Sequence, residues 1–224
     1  MAGEKDGWRN ERLEVAGKTY FLESCIDTDR IPYQQRVDLA TELTPLTGKG
    51  FKRFDLHSDE LSLDVSNHVV TAPRLTVIRN ETSEAVAFVA SALIEINGIN
   101  FLHLGGIIVD PKLHHSGLAL RILTKELVET KAEAIVLRTQ SMNMLGLTKK
   151  VAILDEALTQ TVAPIVYPFN LDGVVNHHVY RDGHSLYEDE ASFAPEAIDW
   201  IDWREGDALV VAGWVKTTPL DTIG

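Results

Sequence analysis

The chain has 224 residues, 45% hydrophobic and 24% charged, with a formal net charge of −12 at pH 7. That is enough apolar matter to bury a full core in one large domain, or in a domain with an appended part. No run approaches the ~18 apolar residues of a membrane span, and no Lys/Arg-rich run offsets the acidic field, so neither membrane nor nucleic acid is expected as a partner.

The single cysteine, Cys25, excludes an internal disulfide and a cysteine-built zinc cage, and it reads as a small core or surface residue. Residues 1–14 are charged and lack the apolar stretch of a secretory signal, so a cytoplasmic location is expected.

In chain order, residues 18–23 (KTYFLE) read as a short strand. Residues 29–42 read as a helix, with Pro45 beyond its end and a glycine-bearing loop over 48–55. Residues 59–65 read as a short helix capped by Ser58. Strand-like runs then cover 74–79, 85–95 and 100–109, separated by turns at 80–83 and at Asn97-Gly98. Asn-Gly between apolar runs is a strong hairpin signal, so these three strands are expected to form an antiparallel meander.

A helix over 117–130 follows, with Leu118, Ile122, Leu123 and Leu127 at helical spacing, then an apolar strand over 133–139 and a helix over 143–158. A right-handed crossover would lay the 133–139 strand parallel to its predecessor. The last third offers strands over 164–168, 174–180 and 208–216, with a turn at Arg181-Asp182-Gly183 returning through 184–187. The reading is therefore a mixed α/β sheet, with a core over 1–160 and a C-terminal extension over 161–224 packed on the same domain.

The densest chemistry lies where the strand 100–109 ends at Asp110-Pro111. A short loop with a glycine leads there into a helix N-terminus, an arrangement whose backbone N–H groups suit an anion. Val109, Pro111, Gly117 and Ala119 fall in a pattern that resembles the signature of the GCN5-related N-acetyltransferases: Val-x-Pro, Gln or Arg, two residues, Gly, one residue, Gly or Ala. His114 stands where Gln or Arg is usual. The resemblance spans roughly residues 18–158.

The resemblance implies the acyl-CoA N-acyltransferase fold and an N-acetyltransferase with acetyl-CoA as co-substrate. It places the pyrophosphate on His114, His115, Ser116, Gly117, Leu118 and Ala119, with Asn143 in the following helix as a further cofactor-side residue. The pantetheine arm falls on backbone groups of Ile107, Ile108 and Val109, beside Gly105-Gly106. The acceptor would be a small-molecule or peptide amine that attacks the thioester directly. Cys25 has no assignable setting as a covalent nucleophile. Dimers are common among such proteins, so a homodimer fits the same reading.

The amine must lose a proton, and a histidine titrates near neutral pH. His103 is the candidate base, with Glu95 on the preceding strand in reserve. The family's tyrosine, counted from Asn143, falls on Lys150, which leaves Tyr167, Tyr180 and Tyr187 as candidate acids, Tyr167 foremost. A noncatalytic CoA-binding or protein-interaction domain is the alternative, supported by His114 and Lys150. His177, His178, Asp182 and His184 lack an established ligand spacing, and no metal is expected. Trp200, Trp203 and Trp214 read as anchors of the C-terminal segment.

Overall fold

Residues 4–5, 7–53, 58–179, 201–202 and 205–216 are described by a computed structural model. They form two compact units, Met1–Ala92 with Leu104–Ile122, and Leu93–His103 with Leu123–Gly224.

The first unit is built on a meander. Strands β1 (Glu4–Lys5), β2 (Trp8–Val15), β3 (Lys18–Cys25), β4 (Arg74–Arg79), β5 (Ala85–Ile96) and β6 (Ile99–Val109) are neighbours in that order, β5 and β6 continuing into the second unit. Registers such as Leu13↔Tyr20, Leu22↔Ile78 and Val77↔Phe88 put apolar side chains opposite one another. The strand β2 was not expected, because it buries only Leu13 and otherwise carries Arg and Glu on exposed positions. Its exposed charges pair locally, Arg12 with Glu14 at 2.7 Å. Asn97 and Gly98 both adopt positive φ (53° and 79°), the backbone of the tight turn that the Asn-Gly pair favours.

Helix α1 (Tyr33–Gly50) corrects the expected 29–42. Residues Thr28–Arg30 form a 3-10 turn, Pro32 then precedes the first helical residue, and the helix runs through Pro45 instead of ending before it. Pro45 has no amide to offer the carbonyl one turn back, a cost of ~3 kcal/mol in a helix interior. Burial of Ala40, Leu43 and Leu46 on both sides of it outweighs that loss. Gly48 and Gly50 are consequently helical, not loop, and a Cβ on Gly50 would stand 3.2 Å from Ile108 Cγ2. Helix α1 thus rests closely on the end of β6. Arg79 ties it to the sheet as well, with Nε on Glu23 at 2.8 Å and Nη2 on Glu42 at 3.1 Å. Helix α2 (Asp59–Val69) starts where Ser58 Oγ accepts from the Leu61 amide at 3.2 Å, and it buries Leu61, Val65 and Val69.

In the second unit the central strand β7 (Ala134–Thr139) has Ala134, Ile135, Val136 and Leu137 fully buried. It neighbours β6, to which helix α3 (Leu118–Thr130) connects it. Its other neighbour, β11 (Ala208–Val215), is antiparallel with Leu137 opposite Val211. The order continues through β10 (Val175–Asn176) to β9 (Leu171–Asp172).

The expected helix over 143–158 is two helices. Helix α4 (Met142–Val151), capped by Ser141, gives way to β8 (Ala152–Leu154), and Asp155 then caps α5 (Glu156–Val166) by accepting from the Leu158 amide at 3.0 Å. Strand β8 pairs with β11, and Gly213 makes that approach possible: a Cβ there would lie 2.6 Å from the Ile153 carbonyl oxygen. Helix α5 also replaces the strand expected from Pro164. Its Val162 and Ala163 pack with Phe101, Val136, Tyr167, Val210 and Ala212, and that burial decides in favour of helix. Of the strand expected over 174–180, among the described residues 174–179 only Val175–Asn176 pairs as such. Tyr180, the turn at 181–183, His184, Tyr187, Trp200 and Trp203 lie outside the described residues. Among the described residues no helix is long and apolar enough to cross a membrane.

Candidate functional site

The chemistry of the first unit sits where β6 ends. Asp110 Oδ1 accepts from the Lys112 amide at 2.8 Å, and residues Pro111–Leu113 close a 3-10 turn in which the Leu113 amide donates to the Asp110 carbonyl at 2.8 Å. Ser116 fixes the next step, its hydroxyl donating to the Leu113 carbonyl at 2.6 Å and accepting from the Leu118 amide at 3.2 Å. His115 and Gly117 adopt positive φ (63° and 87°), so alternate residues of the loop turn their backbones in opposite senses. Among the described residues no acceptor meets the amides of His115, Gly117 or Ala119. Open amides at a helix start, in a loop locked by its own hydroxyl and carboxylate, form an anion cradle.

His114 turns back onto the end of β6: its Nε2 lies 3.2 Å from the Val109 carbonyl oxygen, which can only accept, so Nε2 is the donor there. The carbonyl of Val109 is thereby engaged, while the Asp110 amide donates to Val86 at 2.8 Å. Ile107 is half-buried and Ile108 buried. Gly105 lies close to β5: a Cβ there would meet the Ala90 carbonyl oxygen at 3.3 Å and His68 Nδ1 at 3.8 Å. Sequence reasoning gave His68 no role. It comes from the last turn of α2, and only the packing of that helix on β6 reveals it. Of the cations that follow β6 in the chain, Lys112 and Arg121 are exposed, whereas Lys125 pairs with Glu129 at 2.6 Å.

In the second unit, His103 and Tyr167 come together as neighbours. Tyr167 follows the last turn of α5, its hydroxyl lies 3.0 Å from His103 Nε2, and the two rings meet edge to face at 5.6 Å. Burial pushes the Tyr167 phenol well above the ordinary tyrosine range, against the opposing pull of the Arg138 guanidinium and backbone amide. Tyr167 is therefore a neutral hydroxyl at physiological pH. Ile94 and Ile96 of β5 pack on the same apolar cluster as Tyr167, so by strand alternation Glu95, exposed, points to the opposite face. Glu95 is not brought to His103. Asn143 and Lys150 are exposed in α4.

The tyrosine also supports a cation. Arg138 of β7 stands with its guanidinium carbon 5.3 Å from the Tyr167 ring centroid and donates from Nη1 to Asn176 Oδ1 at 3.2 Å. A lone charged residue in an otherwise apolar strand was the sequence signal for it. Farther along, His177 Nδ1 lies 2.9 Å from the buried carboxylate of Asp207, which also accepts from the amides of His178 and Asp202 at 3.2 Å. His178 Nδ1 is 3.1 Å from the Glu205 carbonyl oxygen, so these contacts join the residues just after β10 to the segment before β11. Among the described residues no group of three or more His, Cys, Asp or Glu is placed to hold a metal ion; Asp182 and His184 lie outside them. Cys25 is buried, its thiol donating to the Asp27 carbonyl at 3.2 Å, and burial raises its pKa.

No family model matches the chain, and no curated protein matches it. Among solved structures it is similar to the ribosomal-protein-S18-alanine N-acetyltransferase from Escherichia coli, at 12% identity and TM-score 0.46 over 89% of this chain and 96% of that one. It is also similar to a GNAT family N-acetyltransferase from Escherichia coli in complex with CoA, at 14% identity and TM-score 0.43 over 66% and 74%. A third similar structure is a GNAT family acetyltransferase from Brucella melitensis in complex with acetyl-CoA, at 18% identity and TM-score 0.34 over 45% and 69%.

Proposed function

We propose that the protein is an acetyl-CoA-dependent N-acetyltransferase that acts on an amine by direct attack. The observation that carries this reading is the loop after β6. It joins the Val109-x-Pro111 to Gly117-x-Ala119 pattern to three amides that meet no acceptor among the described residues. That donor set fits a pyrophosphate, which would be held by the amides of His115, Gly117 and Ala119. A thioester bound there supplies an acyl carbon open to nucleophiles.

In this reading His103 is the base. His103 takes the proton that the amine loses as its nitrogen bonds the acyl carbon and the carbon–sulfur bond breaks; the thiolate leaves as a thiol with a proton from solvent. This role requires the tautomer in which Nε2–H donates to the Tyr167 oxygen and Nδ1 keeps the lone pair. Tyr167 then acts by positioning, holding the ring in one orientation while itself staying neutral.

The test is release of free thiol from acetyl-CoA in the presence of an amine panel. The reading expects amine-dependent release matched by acetylated amine, and a slower rate in His103→Ala with acetyl-CoA binding retained. Binding without any amine-dependent release would favour a noncatalytic CoA-binding domain instead.

A further inference from the structure

Among the described residues Arg138 is held in place but not neutralised. Three other half-buried arginines each meet a carboxylate: Arg36 meets Asp29 at 3.6 Å, Arg53 meets Glu60 at 3.3 Å, and Arg79 meets Glu23 at 2.8 Å. Among the described residues Arg138 meets none. Its one hydrogen bond goes to a neutral amide, that of Asn176, and its other support is the face of a neutral phenol. A guanidinium has five N–H donors in a planar fork, so among the described residues most of its donor capacity is open.

The support beneath it is rigid. Asn176 is 4% exposed, and its Nδ2 donates to the carbonyls of Phe169 at 2.7 Å and Asn170 at 3.3 Å. Tyr167 is packed in the core cluster with Phe101, Val136 and Val162. A cation partly withdrawn from water without a counter-charge is costly unless something anionic completes it. The fork matches a carboxylate best, because two parallel N–H···O bonds can form at once. The same tyrosine links this cation to the candidate base, its ring under Arg138 and its hydroxyl on His103.

We propose that Arg138 receives a carboxylate of the acceptor, so that the acceptor is an amine bearing a carboxylate on the same small molecule, an amino acid in chemical class. This rests on the acetyl-transfer reading and narrows it. The acidic chain by itself favours a cationic acceptor, and Arg138 is the local charge that reverses the preference.

The experiment uses the full chain and matched pairs: alanine with ethylamine, phenylalanine with phenethylamine, and methionine with its decarboxylated amine. Thiol release should favour the carboxylate-bearing member of at least one pair. For that member Arg138→Gln and Arg138→Lys should raise KM by about 10- to 100-fold, because a charged bidentate contact is lost or reduced to a point contact. KM for the decarboxylated partner should not move, an asymmetry that general loosening of β7 would not produce. Equal use of both members, or an equal shift in both, overturns the proposal while acetyl transfer stands. If no amine releases thiol, acetyl transfer falls, and the Arg138 Nε–H resonance, titrated with the amino acids and with the amines, decides the carboxylate site alone. An unmoved resonance, or one moved equally by the amines, overturns it.

Discussion

Replacing Tyr167 separates its two roles, as a core residue and as the partner of His103. Tyr167→Phe keeps the ring in the cluster with Phe101, Val136 and Val162, and it keeps the face beneath Arg138, but it removes the hydroxyl 3.0 Å from His103 Nε2. One buried hydrogen bond is worth about 1 kcal/mol net, which for a chain of this length is a fall in Tm of about 2–4 °C. Tyr167→Ala also empties the ring's place in the cluster and should cost about 3–5 kcal/mol. The phenol adds a pH signature. Its pKa is raised in the folded state above the ordinary value of 10.0. The unfolded chain therefore releases this proton first, and stability falls as pH rises past about 10. The assay is thermal unfolding of wild type, Tyr167→Phe and Tyr167→Ala at pH 8 and pH 10.5, with the His103 ring nitrogens followed by NMR. The Phe variant should lose less on going to pH 10.5 than wild type, and its His103 signals should shift. A Phe variant with wild-type Tm, wild-type alkaline loss and unmoved His103 signals would refute the pairing.

Gly117→Ala should cost about 1–2 kcal/mol and weaken acetyl-CoA binding, because φ is 87° there while the space around a Cβ is open, so the whole effect is backbone strain in the cradle; unchanged stability and affinity would count against the loop geometry. Gly213→Ala should lower the denaturation midpoint by the equivalent of about 1–3 kcal/mol, since its Cβ would lie 2.6 Å from the Ile153 carbonyl oxygen, and a wild-type midpoint would contradict the β8–β11 approach. Asp155 has its pKa lowered, first by the Leu158 amide and then by the Trp214 indole N–H, so its carboxylate stabilises the fold above its ordinary range and that stability is lost as pH falls through the lowered value. Against Asp155→Asn, which keeps a cap but no charge, the wild-type advantage in Tm should shrink in acid and hold at neutral pH.

Much of this architecture was legible because the local signals agreed with the packing. Strand β4 and the Asn97-Gly98 turn stand where alternation and turn chemistry put them, and α3 buries the Leu118, Ile122, Leu123 and Leu127 face that its periodicity marks. The failures arise where burial overrides a local rule. Pro45 and Pro164 both sit inside helices whose flanking residues are buried, and a proline alone gives no measure of that compensation. Residues 152–154 form a strand only because Gly213 lets β11 come close, a contact 59 positions away in Leu154↔Gly213 that no window along the chain contains. The loop over 110–119 was visible as a motif, but the turn of His114 back onto Val109 was not. The His103–Tyr167–Arg138 grouping joins β6, the end of α5 and β7; His103 and Tyr167 were marked singly as candidate base and acid, but their contact with each other and with Arg138 lies in no window along the chain.

The most direct measurement is calorimetric titration of acetyl-CoA into the wild-type chain and into Gly117→Glu, which forces a side chain at φ 87° and sets a carboxylate in the cradle. Saturable binding by the wild type, lost in the variant and kept in His103→Ala, is the predicted result. A wild-type chain that gives no binding heat and no ligand-induced rise in Tm, or a variant that binds as tightly, would contradict the donor site.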